Sequence, residues 1–379
     1  MKKILVALLV LAGVLAAYLM FWPVPVQPVV WSAPADAGYT GVHTPNKLLA
    51  GLQVIALNGE EGPEHVALGP DGKLYAAVAS GALLRMNPDG SGQEVFARTG
   101  GRVLGFDFDA AGRLIAADAI KGLLAIEPGA GPVGGPGGPV RRITVLADRV
   151  GSDPIRYADA VVVAKGSGRF YFSDASTRFG PADRGGTFEA SILDIIEQRA
   201  TGRVLEHDPA TGATRIVAEG LSFANGVALS ADEGALFVVE TGRYRVWQIA
   251  VAAQRLNVAT AASSPQARVL FDNLPGYPDN LMRGRDGRIW LGFAKPRNPT
   301  VDQMAGKPWL RELTLRLPRA LWPVPKSYGH VMAFTEDGKV TAVLHDPSGA
   351  YPETTGVTET ADRLYIHSLH AKGLGWRSR

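Results

Sequence analysis

The stretch GPEHVALGPDGKLYAAV, residues 62–78, sets the pattern that decides the fold. A short apolar-alternating run leads to a turn at Asp71-Gly72, and a strand rich in apolar and aromatic residues follows it. That second strand recurs as RLIAAD from Arg113, RFYFSD from Arg169, ALFVVE from Ala235, RIWLGF from Arg288 and RLYIHS from Arg363. Turn residues stand before each copy: Ala111-Gly112, Gly166-Ser167-Gly168, Glu233-Gly234, Asp286-Gly287 and Ala361-Asp362. Such turns need positive φ, which Gly, Asn and Asp tolerate. Period-two runs around them read as β-hairpins. Second hairpin turns follow at Asn87-Pro88-Asp89-Gly90, at Asp208 to Gly212 and at Glu336-Asp337-Gly338. Two hairpins per repeat make a four-stranded antiparallel blade. Six repeats therefore predict an all-β chain built as a six-bladed β-propeller. Few residues remain after RLYIHS, so a strand near Gln53 to Leu57 is expected to complete the last blade and close the ring. A β-sandwich would not explain six copies of one hairpin.

Two segments break the rhythm. Arg178 to Arg203 holds a predicted helix, Glu189 to Arg199, with Ile192, Ile195 and Ile196 on one face. Ala294 to Tyr328 is Pro-rich and apolar, with Trp309, Leu310, Leu313, Leu321 and Trp322. Long insertions in a compact fold usually carry function, and both are read as short helical caps over one end of the propeller. The Gly/Pro run Gly129 to Pro139 reads as a mobile loop.

At the N-terminus Ile4 to Trp22 runs without a charge, after Lys2 and Lys3 and with Tyr18, Phe21 and Trp22 at its far end. Nineteen helical residues span about 28 Å, close to the hydrocarbon thickness of a bilayer. Basic residues favour the cytoplasmic side and aromatics an interface. The expectation is a single-pass membrane protein: residues 1–3 cytoplasmic, 4–22 a transmembrane anchor, 23–43 a Pro-rich linker acting as a stiff extended spacer, and 44–379 the propeller on the extracytoplasmic side. A signal peptide cleaved late, at Ala35-Asp36-Ala37, is the competing reading.

The chain of 379 residues carries 39 Lys/Arg against 36 Asp/Glu. A net charge of +3 argues against a phosphate-tracking surface, so no nucleic-acid partner is expected. Without cysteine there is no disulfide, thiolate metal site or Cys nucleophile. No GxSxG elbow or Walker loop occurs.

One column of the repeat carries the chemistry. Seven residues back from Asp71, Gly166, Asp232 and Asp286 lie Glu64, Asp159, Asn225 and Asp279, in GPEHVALG, YADAVVVA, FANGVALS and YPDNLMRG. The same count in the other two repeats reaches Leu104 and Thr355. Equivalent positions on the inner strands lie at one depth around the central channel. Three carboxylates and an amide would converge there, and their repulsion calls for a cation or shifted pKa values. All-oxygen donors suit a hard divalent cation, Ca²⁺ before another. Asn280 is placed to add a carbonyl. His65 follows Glu64, but strand alternation turns it off the axis, so it is not counted as a ligand. A lone Asp or Asn at a strand start is usually a turn cap; four in one register are less easily explained that way.

At these octapeptides the sequence resembles the strictosidine synthase-like family, with its adipocyte plasma membrane-associated branch and, more distantly, paraoxonases and gluconolactonases. The resemblance spans about Leu57 to Gly375. It is most specific at GPEHVALGPDGKLY, YFSDASTRF, DIIEQRATGRVLEHDP, FANGVALS and PGYPDNL. It implies a six-bladed propeller with an axial divalent ion on Glu64, Asp159, Asn225 and Asp279, and a paraoxonase-like use of Asn280. Asp159 stands where the family often has Asn. The catalytic Glu of true strictosidine synthase falls on Thr355, so that condensation is not expected. The paraoxonase catalytic His would fall in GRVLGFDF, which has none.

The reading that results is a membrane-anchored, Ca²⁺-dependent hydrolase of a hydrophobic carboxylic ester or lactone, of arylesterase or lactonase type. Glu64, Asp159, Asn225 and Asp279 are its metal ligands, Asn280 polarises the carbonyl, and the general base is His65 or a ligating carboxylate. His330 is a further proton-transfer candidate. The alternatives are a non-catalytic propeller with a structural ion, or a membrane-embedded subunit binding a partner through Trp309 to Trp322.

Overall fold

The structure is a computed structural model, and it describes residues 1–129, 141–260 and 264–379. The Gly/Pro run read as a loop lies, beyond Gly129, outside the described residues. The body is mostly β. One four-stranded antiparallel sheet runs His65–Leu68, Leu74–Ala77, Ala82–Met86 and Glu94–Arg98; the next runs Val103–Phe108, Leu114–Asp118, Gly122–Ile126 and Ile143–Ala147. A third holds Ala158–Val163, Phe170–Asp174, Gly202–Asp208 and Ala213–Leu221, with Leu256–Asn257 added parallel at its edge. A fourth holds Ala224–Leu229, Ala235–Glu240, Arg245–Ala250 and Ala267–Phe271. Apart from a small pair, Arg149–Val150 with Asp153–Pro154, the remaining eight strands form one curled sheet, in which Gly276–Arg283, Ile289–Pro296, Gly329–Phe334 and Val340–Asp346 meet Thr354–Glu359, Arg363–Ser368 and Gly373–Ser378 through a single pairing, Phe293 with Thr354. Its last member is the early strand Gln53–Ala56, which pairs antiparallel with Gly373–Ser378. The chain thus closes by joining its two ends, as the short last repeat predicts.

The first strand of each set touches the first strand of the next, and Thr354–Glu359 returns to touch His65–Leu68. Between successive sheets lie apolar layers; one packs Phe106, Phe96 and Tyr75, another Phe237, Phe334 and Tyr244. Tyr171, Phe172 and Trp290 are buried in these layers.

Helix α1, Lys2–Phe21, is long and apolar enough to cross a membrane, and none of it is buried in the protein. Helix α2, Thr187–Glu197, starts two residues before its predicted position. Gly186, at φ 114, sets its start, and the left-handed Gln198 at φ 60 stops it short of Arg199. The other cap contains α3, Pro299–Met304, and α4, Pro308–Arg316, each opened by a proline that suits a helical N1 position.

The Pro-rich segment after α1 is not a free spacer. Val26 is buried against α2, the Val29 and Trp31 amides donate to Glu197 O (3.0 Å) and Ala305 O (3.2 Å), and Arg297 Nη2 donates to Pro34 O at 2.7 Å. The buried Glu197 carboxylate receives the Gln27 amide at 2.9 Å and ion-pairs with Arg178 and Arg199. The sequence reading missed this docking because the partners lie hundreds of residues apart. Stiffness predicts that a Pro-rich strap is extended, not what it lies on.

Candidate functional site

Asp159, Asn225 and Asp279 come from three different sheets, Glu64 stands immediately before the strand His65–Leu68 of a fourth, and all four line one cavity of about 170 Å³. Each is at most 5% exposed. The backbone explains how strand residues are aimed at one point. The hairpin register slips between Ala158 and Val161, between Ala224 and Val227, and between Pro278 and Leu281, which are the intervals holding Asp159, Asn225 and Asp279. The same slip brackets Leu104 and Thr355. A β-bulge turns a side chain out of its normal alternation and is common beside functional sites. Small residues after the bulge let neighbouring inner strands approach: a Cβ on Gly226 would lie 2.5 Å from Asp279 O and from Leu281 N.

Charge at this floor is poorly compensated. Burial pushes the Asp159 and Asp279 carboxyls well above the usual carboxylate range, and the nearby Glu64 adds to both shifts. Burial also raises Glu64, opposed by Arg102, whose Nη2 stands 3.1 Å from Glu64 Oε2. Asn225 hydrogen-bonds to Asp279 while its own Oδ1 has no partner. Leu104 completes the ring as an apolar wall, and Thr355 Oγ1 donates to Glu64 O at 2.9 Å.

Among the described residues no three His, Cys, Asp or Glu side chains form a ready-made metal cluster. The donor set nevertheless fits a hard divalent cation. Among the described residues Arg102 ion-pairs with Glu64 of the three carboxyls, and the unpartnered amide oxygen of Asn225 stands with them in the cavity. Glu64, Asp159, Asn225 and Asp279 are the residues that would hold it.

The proposed catalytic residues are placed differently. His65 does not line the cavity. Strand alternation turns its ring onto Phe106 (centroids 4.7 Å apart) and His367 (5.9 Å), where burial lowers its pKa to about 4. The ring therefore faces away from the four floor side chains. Asn280 is 1% exposed and is also absent from the lining; its Nδ2 donates to Glu64 O at 3.3 Å, and its Oδ1 has no partner. It braces the Glu64 backbone. His330 is stacked between Phe293 (3.9 Å) and His345 (4.3 Å), away from the cavity.

Polar groups that the repeat count misses surround the floor. Arg102 lies in GRVLGFDF, two residues before the column position. Lys295, on the strand leading into the cap, lines the cavity and ion-pairs with Glu353. Glu353 has the left-handed backbone φ of 51 and also bonds His370 Nδ1. Burial would raise the Glu353 carboxyl, but His370 and Lys295 outweigh it and hold it below its usual value. The only sequence signal for this cluster was a charged residue interrupting an apolar strand.

The roof is apolar. Ile192, Ile195 and Ile196 of α2 line the cavity, as their shared face predicts, together with Phe188, Met304 and Trp322.

The profile described as Strictosidine synthase-like, N-terminal, matches residues 41–86, and that described as Strictosidine synthase matches residues 159–253. Protein STRICTOSIDINE SYNTHASE-LIKE 6 of Arabidopsis thaliana is 31% identical over 85% of this chain and 80% of its own length. The chain belongs to the strictosidine synthase-like family. Within that family it is also 28% identical to the adipocyte plasma membrane-associated protein of Salmo salar, over 92% of this chain and 82% of the relative. Solved structures extend the likeness of fold to a gluconolactonase from Xanthomonas campestris, with TM-score 0.56 and 17% identity over 94% of this chain and 99% of that one. Regucalcin from Agrobacterium tumefaciens, described as a calcium-binding protein, gives TM-score 0.53 and 15% identity over 86% and 92%.

Proposed function

We propose that this chain is a membrane-anchored hydrolase of an apolar carboxylic ester or lactone, built as a six-bladed β-propeller with a divalent cation, Ca²⁺ first, in its central channel. Helix α1 is the anchor, and the body lies on the extracytoplasmic side. The reading rests on one observation: four register-equivalent oxygen-bearing side chains, under-compensated in charge, line the floor of one apolar-roofed cavity.

When bound, the cation supplies Lewis-acid polarisation of the substrate carbonyl and stabilises the oxyanion that develops. Glu64, Asp159, Asn225 and Asp279 hold it. Asn280 and Thr355 fix the Glu64 backbone. Arg102 opposes the burial that raises the Glu64 carboxyl. The roof from Phe188 to Ile196 excludes water and selects apolar substrate. The proton carrier is a floor carboxylate, since His65 does not reach the cavity.

Elemental mass spectrometry of the purified full chain, with Asp279→Ala as control, tests the reading together with a lactone and aryl-ester panel. We expect about one calcium per chain, lost in the variant, and turnover that falls with it. No metal after calcium is supplied would sink the metal-hydrolase reading. Metal without turnover would favour a propeller that binds rather than reacts, which the placement of His65 and the Arg102–Glu64 pair also favours.

A further inference from the structure

We propose that the cap formed by α3, α4 and the turn after them seats on the bilayer beside α1, so that the cavity fills from the lipid phase with an amphiphile. This rests on the membrane-anchor reading above and deepens it. Arg316 of α4 donates from Nε to Trp22 O (2.7 Å) and from Nη1 to Leu19 O (3.3 Å), which ties the end of α1 to the cap. From the same helix, Arg311 and Thr314 line the cavity. The helix end and the cavity wall are therefore two faces of one nine-residue element.

The outer surface of this cap exposes large apolar side chains beside its charged ones. Trp309 is 62% exposed, Leu321 63% and Val324 44%. Val324 also lines the cavity, so this surface reaches the cavity edge. Single exposed apolar residues elsewhere, such as Leu68 and Val145, are ordinary. Three on one cap, one of them at the cavity edge and the cap itself tied to a membrane-length helix, are not.

Charge selects the partner. From Arg297 to Lys326 the cap carries six Lys/Arg and two Asp/Glu, while the whole chain is only +3. Lys307 and Lys326 are exposed at its rim, and Arg319 beside them pairs with Glu189 of α2. A basic surface is attracted electrostatically to a bilayer that carries anionic headgroups on the facing leaflet, and Trp favours the interface. The occupant is thus a lipid surface. An amphiphile entering from it brings its apolar part along α2 and its polar end to the carboxylate floor.

The absence of cysteine makes the test direct. Trp309→Cys, Leu321→Cys, Leu68→Cys and Val145→Cys are each made in the full chain and labelled with an environment-sensitive fluorophore. Each protein is reconstituted into phosphatidylcholine vesicles containing phosphatidylglycerol. At 309 and 321 we expect a blue shift, quenching by nitroxide on the lipid acyl chains and protection from aqueous iodide; at 68 and 145 we expect the reverse. Iodide quenching at 309 and 321 equal to that at 68 overturns the proposal. Shielding from both quenchers also overturns it, because a protein partner then covers the cap. An alkaline carbonate wash separates the two readings. If the chain washes off the vesicles, the anchor reading has failed. If it stays while 309 and 321 remain aqueous, only the seating has failed. None of these signals depends on turnover.

Discussion

The floor and the roof of the cavity are made by opposite means. Floor residues sit on strands whose register is fixed by a turn a few residues away, repeated in each sheet. Roof residues sit on two insertions that repeat nothing and are held, with the strap behind them, by long-range bonds. Arg311, 2% exposed, donates to Ile196 O (2.7 Å), Ala305 O (3.0 Å) and Val29 O, and so pins α2, α3 and the strap together. Repetition positions the charged chemistry, and insertion chooses what reaches it. Floor and roof should therefore fail separately.

The largest effect is expected at the floor. Asp279→Ala should lower ester or lactone turnover by about 10²-fold or more, since a Lewis-acid site is worth several kcal/mol. Thermal stability without added calcium should change little or rise, because a buried, under-compensated carboxyl is gone; equal melting with and without calcium would then mark the loss of the ion. Turnover unchanged in this variant would remove the column from catalysis.

The roof should break locally. Arg311→Leu leaves backbone carbonyls unmatched, at about 1–3 kcal/mol for each buried group. Hydrogen exchange should speed up over 26–31 and 299–316 while the sheets keep their protection. Uniform acceleration through the sheets would show instead that roof and floor unfold as one unit.

Asp194, on α2 between roof and floor, titrates near neutrality. Burial raises its pKa to about 7. A raised folded value means the native state holds its proton where the unfolded chain, near 3.9, has lost it. Its stabilising contribution is present below the unfolded value and is lost as pH rises to about 7. Asp194→Asn should therefore stabilise at pH 8, on the order of 2–4 kcal/mol, and do nothing at pH 3.5. Equal denaturation midpoints for the two proteins across that range would count against the shift.

The smallest effect tests how tightly the floor is packed. Gly226→Ala puts a methyl group against the Asp279 carbonyl and should cost about 1–3 kcal/mol in urea unfolding. A neutral result would mean that the inner strands can spread without loss.

Counting seven residues back from a turn found all four floor side chains, because turn chemistry and strand period lie in adjacent residues. It did not find the bulges that aim them. It gave no sign that Arg102 meets Glu64 across 38 residues, or that Glu353 joins Lys295 to His370. It left the general base open between His65 and a ligating carboxylate, and alternation turns the His65 ring away from the cavity, onto Phe106.

The sequence by itself determined the repeated hairpins, the oxygen column, the apolar N-terminal helix and the apolar face of α2. Each is written in the period and turn residues of a short window. Only the tertiary structure decided that the strap lies on α2 and α3, that the cap beside Val324 at the cavity edge exposes Trp309 and Leu321, and which cations meet the buried carboxylates. Those contacts join residues distant in the chain. They form only where ring closure brings the strands together, and no local pattern records which partners will meet.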